Sequence, residues 1–314
     1  MNQLDSNTAG FDIIGDIHGH AHEMMALLAG LGYGRHERGY RHPDRKALFV
    51  GDFVDRGPAI GEVLEIVRSM VDANDALAVM GNHEYNAIAF HTPKPGQQDA
   101  WFRAHSDKNL KQHDATLKQL STAQLAEAID WFKTLPVAID IGGIRIAHAS
   151  WQTRDIERIN LALNSEGRFT PEFLTIAEEA RSELNVAIEN ILKGPELQLP
   201  RGNYILDKAS HMRDSVRIKW YESGTGRTYR QHHLGSDEVP DVAINADDLM
   251  TIETYASDAV PVFVGHYWLT GTPKLLATNV ACTDYSVAKG GKLVAYRWDG
   301  ESTLSDENFY WNRE

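Results

Sequence analysis

The chain has 314 residues, of which 42% are hydrophobic and 24% are charged, and these proportions exclude wholesale disorder. The 44 acidic residues outnumber the 31 basic ones, and the formal net charge of −13 excludes a protein that binds duplex nucleic acid through its general surface. Because Cys282 is the single cysteine, no disulfide can form within the chain. We therefore expect a globular protein of a reducing compartment, the cytoplasm.

The apolar segments are all too short to cross a membrane, which takes about 18 residues or more. Runs of four or five apolar residues, rich in Val, Ile and Phe, are typical of buried strands, and they stop at small or polar residues. These runs are 11–14, 47–50, 76–80, 144–147 and 260–264, with a further one at 292–296. Helical spacing of apolar residues occupies 20–31 and 58–70 between them. This alternation predicts an α/β fold.

The regular alternation of strands and helices stops after residue 150. A helical stretch follows at 171–193, and after it comes a loop-rich polar part with a locally basic composition. The strand pattern returns towards the C-terminal end of the chain. We therefore predict a core formed by 1–150 and 256–314, interrupted by an insertion or cap at 151–255 that is helical first and loop-rich afterwards.

Polar side chains stand where the predicted strands end. They are carboxylates, imidazoles and one amide: Asp16, His18, Asp52, Asn82, His148 and His266. In an α/β core such positions share one rim, and nitrogen and oxygen ligands of this kind suit Mn, Fe or Zn. Six ligands suit two metal ions that share one carboxylate. A lone glycine–aspartate pair would more simply form a turn, but ligand-type residues at five strand ends favour a metal centre.

Three motifs in order strengthen this interpretation: GDIHG (15–19), GDFVDRG (51–57) and GNHE (81–84), followed by histidines at 148 and 266. Together they resemble the signature of the calcineurin-like metallophosphoesterases. The DRG triplet resembles the phosphoprotein phosphatase branch, which includes bacterial diadenosine tetraphosphate hydrolases and Ser/Thr protein phosphatases. The resemblance implies an αββα sandwich with two central mixed β-sheets and an inserted cap. It also implies two divalent metal ions, with Mn²⁺ as the first expectation and Fe or Zn as alternatives.

The resemblance implies a role for each motif residue. Asp16, His18 and Asp52 would hold the first metal ion, and Asp52 would be shared with a second ion held by Asn82, His148 and His266. His83 would be the general acid, oriented by Asp55. Arg56 would grip phosphate oxygens, because a guanidinium is a planar two-pronged donor, and Asn82 would also face the substrate.

Two short segments depart from the family pattern beside the predicted site. The segment NVACTDYSVAKGGKL (279–293) resembles a stretch of bacterial members in its aspartate, Asp284, and its glycine pair, but Tyr285-Ser286 replaces the usual Thr-Gly. Ser150 stands where the family has glycine after the first late histidine. Both departures bear on the choice of substrate more than on the metal centre.

The loop-rich part of the predicted cap carries a basic stretch: Arg201, Lys208, Arg213, Arg217 and Lys219. These side chains either balance neighbouring acids or cover the metal site and hold a second phosphate. Arg213 and Arg217 are the candidates for the second role.

These features favour a metal-dependent phosphoesterase that hydrolyses phosphomonoesters, of a phosphoprotein or of a small substrate, by water activated at two metal ions. The alternative within the family is a bis(5'-nucleosyl)-tetraphosphatase, which would cleave dinucleoside polyphosphates. A catalytically silent binding scaffold is the alternative from a different class, although such a protein would be expected to have lost ligand residues. The expected partner is a phosphorylated protein or nucleotide, with no duplex nucleic acid and no membrane, and the oligomeric state is left open.

Overall fold

The structure is a computed structural model that describes residues 8–206, 212–235 and 238–312. The first half contains, in chain order, β1 (Gly10–Ile14), α1 (Ala21–Gly30), β2 (Gly34–His36), β3 (Gly39–Arg41), β4 (Arg45–Phe49), α2 (Ile60–Asp72), β5 (Ala76–Ala78), α3 (Asn82–His91), α4 (Asp107–Gln119), α5 (Thr122–Phe132), β6 (Ala138–Asp140) and β7 (Arg145–Ala147). The second half contains α6 (Thr153–Ala162), α7 (Pro171–Ala177), α8 (Glu183–Lys193), β8 (Glu196–Gln198), β9 (Ile205–Leu206), β10 (Met212–Arg213), β11 (Ser215–Arg217), α9 (Tyr229–His232), α10 (Ala246–Leu249), β12 (Val262–Val264), β13 (Val280–Cys282), β14 (Asp284–Tyr285), β15 (Lys292–Trp298) and β16 (Phe309–Trp311).

Two mixed sheets form the centre of the molecule. The larger sheet has the order β14-β15-β1-β4-β5, and β16 pairs with β15 as a sixth strand. Within it β1, β4 and β5 run parallel, whereas β15 is antiparallel to its neighbours. The smaller sheet has the order β13-β12-β7-β6, in which only β6 is antiparallel.

Alternate side chains of the strands face two different apolar clusters. In β1, Phe11 and Ile13 join a cluster that draws side chains from both sheets, whereas Ile14 joins the cluster that includes the helices. In β12, Phe263 lies between the sheets and Val264 faces the helices. Strands that are buried on both faces have continuous apolar sequences, which explains the short apolar runs. The predicted αββα sandwich with two mixed sheets is therefore confirmed.

The segment 151–255 has two parts that differ in where they pack. Its predicted helical stretch is broken into α7 and α8, with Arg181 in a left-handed conformation (φ 68°) between them. The apolar faces of these helices belong to the large cluster of the core, whereas Leu197, Ile218 and Tyr229 belong to a small cluster of their own. The domain boundaries at 150 and 256 stay a prediction. No helix in the described ranges is long and apolar enough to cross a bilayer.

Candidate active site

The loops that follow β1, β4 and β12 hold functional side chains on an unusual backbone. His18, Asp52, Asp55, Arg56 and His266 have φ angles of 46°, 56°, 67°, 70° and 70°. Residues other than glycine rarely adopt this left-handed conformation, which costs of order 1–3 kcal/mol each and concentrates at functional sites. The rest of the fold must therefore hold these loops in place.

Backbone hydrogen bonds tie the first two loops together. The amides of Ile17 and His18 donate to the carbonyl oxygen of Asp52 at 3.1 and 2.8 Å, and the amide of Gly57 donates to the carbonyl oxygen of His18 at 2.9 Å. A Cβ atom at Gly57 would lie 2.1 Å from that His18 oxygen, so this position accepts only glycine. The glycines of the motifs thus allow the two loops to approach closely.

The carboxylate of Asp52 lies at the centre of the site. Its oxygens are 3.5 Å from Nε2 of His18 and 3.5 Å from Nε2 of His148. Two groups of potential ligands share it, His18–Asp52–His83 and Asp52–His148–His266, and within each group the ligand atoms lie within 4.8 Å of one another. A carboxylate common to two groups is the arrangement that a dinuclear centre requires.

The structure also brings the other two predicted ligands to this point. The side-chain oxygen of Asn82 lies 2.8 Å from Nδ1 of His266 and 3.1 Å from Nε2 of His148. The carboxylate of Asp16 accepts the backbone N–H of His266 at 3.1 and 3.2 Å. All six predicted ligand residues are buried. Residues up to 250 positions apart in the chain are therefore neighbours in the fold.

The tautomers of two of the histidines are fixed by carbonyl oxygens. Nδ1 of His18 lies 3.0 Å from the carbonyl oxygen of Val54, and Nδ1 of His148 lies 2.7 Å from that of Val50. A carbonyl oxygen can only accept, so Nδ1 carries a hydrogen in both rings, and the neutral ring of His18 keeps its lone pair on Nε2. In His148, burial opposes protonation, but the charge of Asp52 outweighs it and raises the pKa of the imidazole. Such a bond to the second nitrogen is what orients metal-binding histidines in general.

Buried side-chain atoms that lack a hydrogen-bond partner show whether these residues suit metal ions. Among the described residues, Nε2 of His18 and Nε2 of His266 are buried and have no hydrogen-bond partner. Burial, and then the neighbouring His83, lower the pKa of His18 to about 3, and burial and then Arg217 hold the pKa of His266 well below its usual value. Neutral imidazoles with free lone pairs, together with carboxylate and amide oxygens, are ligands for divalent cations. The residues present therefore fit such ions.

His83 and Asp55 form a buried acid–base pair beside this centre. Nδ1 of His83 lies 2.5 Å from Oδ2 of Asp55. Burial opposes the negative charge of Asp55, but hydrogen bonds from His113 and His83 outweigh it and keep the pKa of Asp55 below its usual value. Burial likewise opposes protonation of His83, and the charges of Asp52 and Asp55 outweigh it and raise the pKa of His83. The two side chains therefore form an ion pair.

Sequence reasoning missed two residues that hold Asp55. On α4, Nδ1 of His113 lies 2.7 Å from Oδ1 of Asp55, and the hydroxyl of Thr116 donates to the same oxygen at 2.6 Å. Thr116 Oγ1 also accepts the backbone N–H of Asp55 at 3.0 Å. Their only signal in the sequence is a spacing of three, which places both side chains on one face of a helix.

Glu84, the last residue of GNHE, fastens the loop that carries Asp52. One carboxylate oxygen accepts the backbone N–H groups of Asp52 (2.8 Å) and Gly81 (3.0 Å). The other accepts those of Phe53 (2.8 Å) and Val54 (3.3 Å). Burial, and then the charge of Asp52, raise the pKa of Glu84 to about 7. The sequence motif contained this residue but did not reveal its role.

We expect Glu84→Gln to destabilise the fold by about 2–4 kcal/mol, because an amide NH₂ would face two buried N–H donors. Urea unfolding monitored by circular dichroism measures the change. Glu178→Gln is the matched control, since the Glu178 carboxylate accepts the hydroxyl of Tyr85 at 2.8 Å, and its loss should cost about 1 kcal/mol. Equal effects of the two substitutions would show that Glu84 is not a special support of this loop.

The basic residues of the cap that were candidates for binding a second phosphate differ in their surroundings. Arg217 on β11 is close enough to lower the pKa of His266, and its Nε is buried without a hydrogen-bond partner among the described residues. Arg213 is exposed and pairs with Glu196 at 3.0 Å. Of the remaining residues of the stretch, Arg201 is exposed in a turn, Lys219 donates to the carbonyl oxygen of Gln231, and Lys208 lies outside the described residues.

The two departures from the family pattern have clear structural roles. Ser286 adopts the left-handed conformation (φ 62°, ψ 38°) at the position where the family has glycine, and its N–H donates to Oδ1 of Asp284 at 2.9 Å. The hydroxyl of Ser150 donates to the carbonyl oxygen of Asn190 at 2.7 Å and so joins the loop after β7 to α8. Neither change removes a side chain from the predicted metal centre.

Comparison with known proteins agrees with this fold and site. Residues 10–188 match the family described as calcineurin-like phosphoesterase, and the chain belongs to this family. Over 74 residues it is 50% identical to the asymmetrical bis(5'-nucleosyl)-tetraphosphatase PrpE of Halalkalibacterium halodurans, covering 23% of this chain and 30% of that protein. Over 137 residues it is 35% identical to the symmetrical bis(5'-nucleosyl)-tetraphosphatase of Aromatoleum aromaticum, covering 43% of this chain and 42% of that protein. The chain thus spans less than half the length of either relative.

Solved structures show the same architecture over nearly the whole chain. A protein serine/threonine phosphatase from Saccharomyces cerevisiae superposes with a TM-score of 0.52 at 16% identity, covering 98% of this chain and 80% of that one. The cold-active protein-tyrosine phosphatase of a psychrophilic Shewanella species also gives 0.52 at 16% identity, covering 96% and 83%. At these identities the likeness concerns the fold.

Proposed function

We propose that the protein hydrolyses phosphoester or phosphoanhydride bonds by direct attack of water, using two divalent cations. The observation that carries this proposal is the Asp52 carboxylate, which two groups of ligands share beside the ion pair of His83 and Asp55. When bound, the cations would neutralise phosphoryl oxygens and activate water at neutral pH. The residues that would hold them are Asp16, His18, Asp52, Asn82, His148 and His266, and we propose Mn²⁺ before Fe or Zn.

Arg56 binds the phosphoryl group in this proposal. Its side chain is exposed at the entrance of the site, and Nη2 lies 3.4 Å from Nε2 of His83. The guanidinium can donate two parallel hydrogen bonds to phosphoryl oxygens, a geometry that a lysine lacks. Arg217, whose charge lowers the pKa of His266, supplies a second positive charge in this proposal. Arg213 is the weaker candidate because it is exposed and forms the shorter ion pair with Glu196, at 3.0 Å against 3.9 Å for Nε of Arg217.

His83 donates the proton that the leaving oxygen requires. Asp55 binds Nδ1 of His83, so Nε2, which lies 4.0 Å from Oδ2 of Asp52, is the atom left to deliver the proton. His113 and Thr116 occupy the other oxygen of Asp55 and prevent that carboxylate from turning away. A proton held on a buried, oriented imidazole gives the site a general acid next to the proposed ligands.

The substrate class has two candidates. Phosphomonoesters of proteins or small molecules agree with an exposed Arg56. Dinucleoside tetraphosphates are favoured by the relatives, which carry the name bis(5'-nucleosyl)-tetraphosphatase. A catalytically silent scaffold is disfavoured because all six proposed ligand positions, Arg56 and His83 are filled. The cytoplasmic location stays a prediction from the single cysteine.

We expect the purified protein to hydrolyse p-nitrophenyl phosphate when Mn²⁺ is added and not in the presence of a chelator. Comparing kcat/KM for phosphopeptides, diadenosine tetraphosphate and nucleoside monophosphates at fixed Mn²⁺ then ranks the substrate classes. No turnover of any of these substrates with Mn, Fe or Zn would favour the scaffold and refute the proposed enzyme.

A further inference from the structure

Trp268 brings a second cation to the entrance of the proposed active site. Cζ of Arg56 lies 4.4 Å from the centroid of its indole ring, and Nζ of Lys289 lies 4.0 Å from the same centroid. The imidazole of His18 is 5.7 Å away, measured between ring centroids. One aromatic ring therefore contacts a proposed metal ligand, the proposed phosphate-binding arginine and an exposed lysine.

Hydrogen bonds hold the backbone that carries the indole. Trp268 has a left-handed backbone (φ 53°), and its backbone N–H donates to Oδ2 of Asp284 at 2.7 Å. The other oxygen of this buried carboxylate accepts the N–H of Ser286 at 2.9 Å, just before the 3₁₀ turn Val287–Lys289. The hydroxyl of Ser286 also donates to the carbonyl oxygen of Leu269 at 3.0 Å. One carboxylate thus fixes both the loop that carries the indole and the turn that carries the lysine.

We propose that Lys289 binds the phosphate next to the one held by Arg56, so that the site selects substrates with two or more linked phosphates. The inference rests on the proposed function, because Arg56 must hold the transferred phosphoryl group. Positive charge at this entrance contrasts with a chain whose formal net charge is −13. An anionic substrate approaching such a surface needs a local site of opposite sign.

The arrangement suits a polyphosphate better than a phosphopeptide. Cζ of Arg56 and Nζ of Lys289 each lie within 4.4 Å of one ring centroid, so two positive charges are neighbours at this entrance. Adjacent phosphates share a bridging oxygen and carry their charges close together, whereas an acidic residue beside a phosphorylated side chain is joined through flexible backbone. Lysine acts as a point charge that can meet any oxygen of the second phosphate. The substrate class inferred is a nucleotide with linked phosphates, as in a dinucleoside polyphosphate.

Direct binding to the Mn²⁺-loaded protein tests this inference. We expect Lys289→Gln to weaken binding of the β,γ-methylene analogue of ATP about tenfold relative to inorganic phosphate, measured by calorimetry, since one charge-assisted contact is lost. Lys289→Glu should give a larger loss. In kinetic assays, kcat/KM for diadenosine tetraphosphate should fall at least fivefold more than kcat/KM for p-nitrophenyl phosphate.

Lys292→Gln is the matched control. Its Nζ also lies over a tryptophan, 5.3 Å from the ring centroid of Trp311, and donates to the carbonyl oxygen of Gly271 at 3.0 Å. This substitution removes the same charge three residues away and should change neither affinity. Equal effects of the two glutamine variants would overturn the inference, and so would a larger loss for a phosphopeptide than for the analogue. Failure of the wild type to hydrolyse any phosphoester or phosphoanhydride would refute the proposed function instead, because the binding measurement does not depend on turnover.

Discussion

Asp52→Asn should lose both metal ions and reduce kcat/KM for p-nitrophenyl phosphate by at least about 10³-fold, since a dinuclear centre supplies several kcal/mol of transition-state stabilisation. The reason lies in the position of Asp52, whose carboxylate belongs to both ligand groups. An amide at this position keeps an oxygen that can accept the N–H of His83 but loses the negative charge between the cations. Asparagine also tolerates the left-handed backbone of this residue, so the loop itself should persist.

Metal content by mass spectrometry and initial rates with added Mn²⁺ measure the two losses separately. Asp155→Asn is the matched control, because Asp155 is a buried carboxylate on α6 that accepts the side-chain amide of Asn190 at 2.7 Å, outside the proposed ligand set. The control should retain both its metal and most of its activity. If Asp52→Asn bound two equivalents of Mn²⁺ with wild-type affinity, the shared-carboxylate assignment would be wrong.

His83→Asn should keep its metal ions and lose about 10²–10⁴-fold in kcat on esters with poor leaving groups, the usual contribution of a general acid. The loss should be smallest for p-nitrophenyl phosphate, because a good leaving group departs with little help from a proton. KM should change less than kcat, since the imidazole acts on the departing oxygen and not on the bound phosphoryl group. A series of aryl and alkyl phosphates assayed under identical Mn²⁺ measures this dependence.

Two results would contradict that role for His83. Equal slowing of activated and unactivated esters would mean that the residue does not protonate the leaving oxygen. Loss of metal would assign His83 to the ligand group that it forms with His18 and Asp52 in the structure. His42→Asn, at a half-buried histidine paired with Asp44 at 2.8 Å, controls for effects of the substitution unrelated to the site.

The parts of this molecule that the sequence predicts correctly are those with local causes. Strands β1, β4 and β12 are buried on both faces, so they appear as short apolar runs, and the predicted ligands stand immediately after them. The break between α7 and α8 was missed because the intervening Arg181 carries no glycine or proline signal. Ser182, whose hydroxyl oxygen accepts the backbone N–H of Asn185 as an N-cap, is the sign of a new helix start that the sequence offers.

The supports of the site depend on contacts that no local pattern encodes. His113 forms a hydrogen bond with Asp55, 58 positions away in the sequence. Glu84 accepts the amides of the Asp52 loop, about 30 positions away. Lys289 and Trp268 lie together only because Asp284 fastens both of their loops. Candidate ligands can be proposed from strand ends, but the residues that orient them come from packing between distant elements.

The order of strands in the larger sheet has a consequence for biosynthesis. β1, which leads into Asp16 and His18, lies between β4 and β15, and β15 comprises Lys292–Trp298. One edge of β1 therefore stays without its partner until residues 292–298 have left the ribosome. Pairings over such long sequence separations form slowly and leave strand edges open to aggregation in the meantime. The nascent chain thus completes the larger sheet late, and chaperones have a long interval in which to bind the open edge of β1.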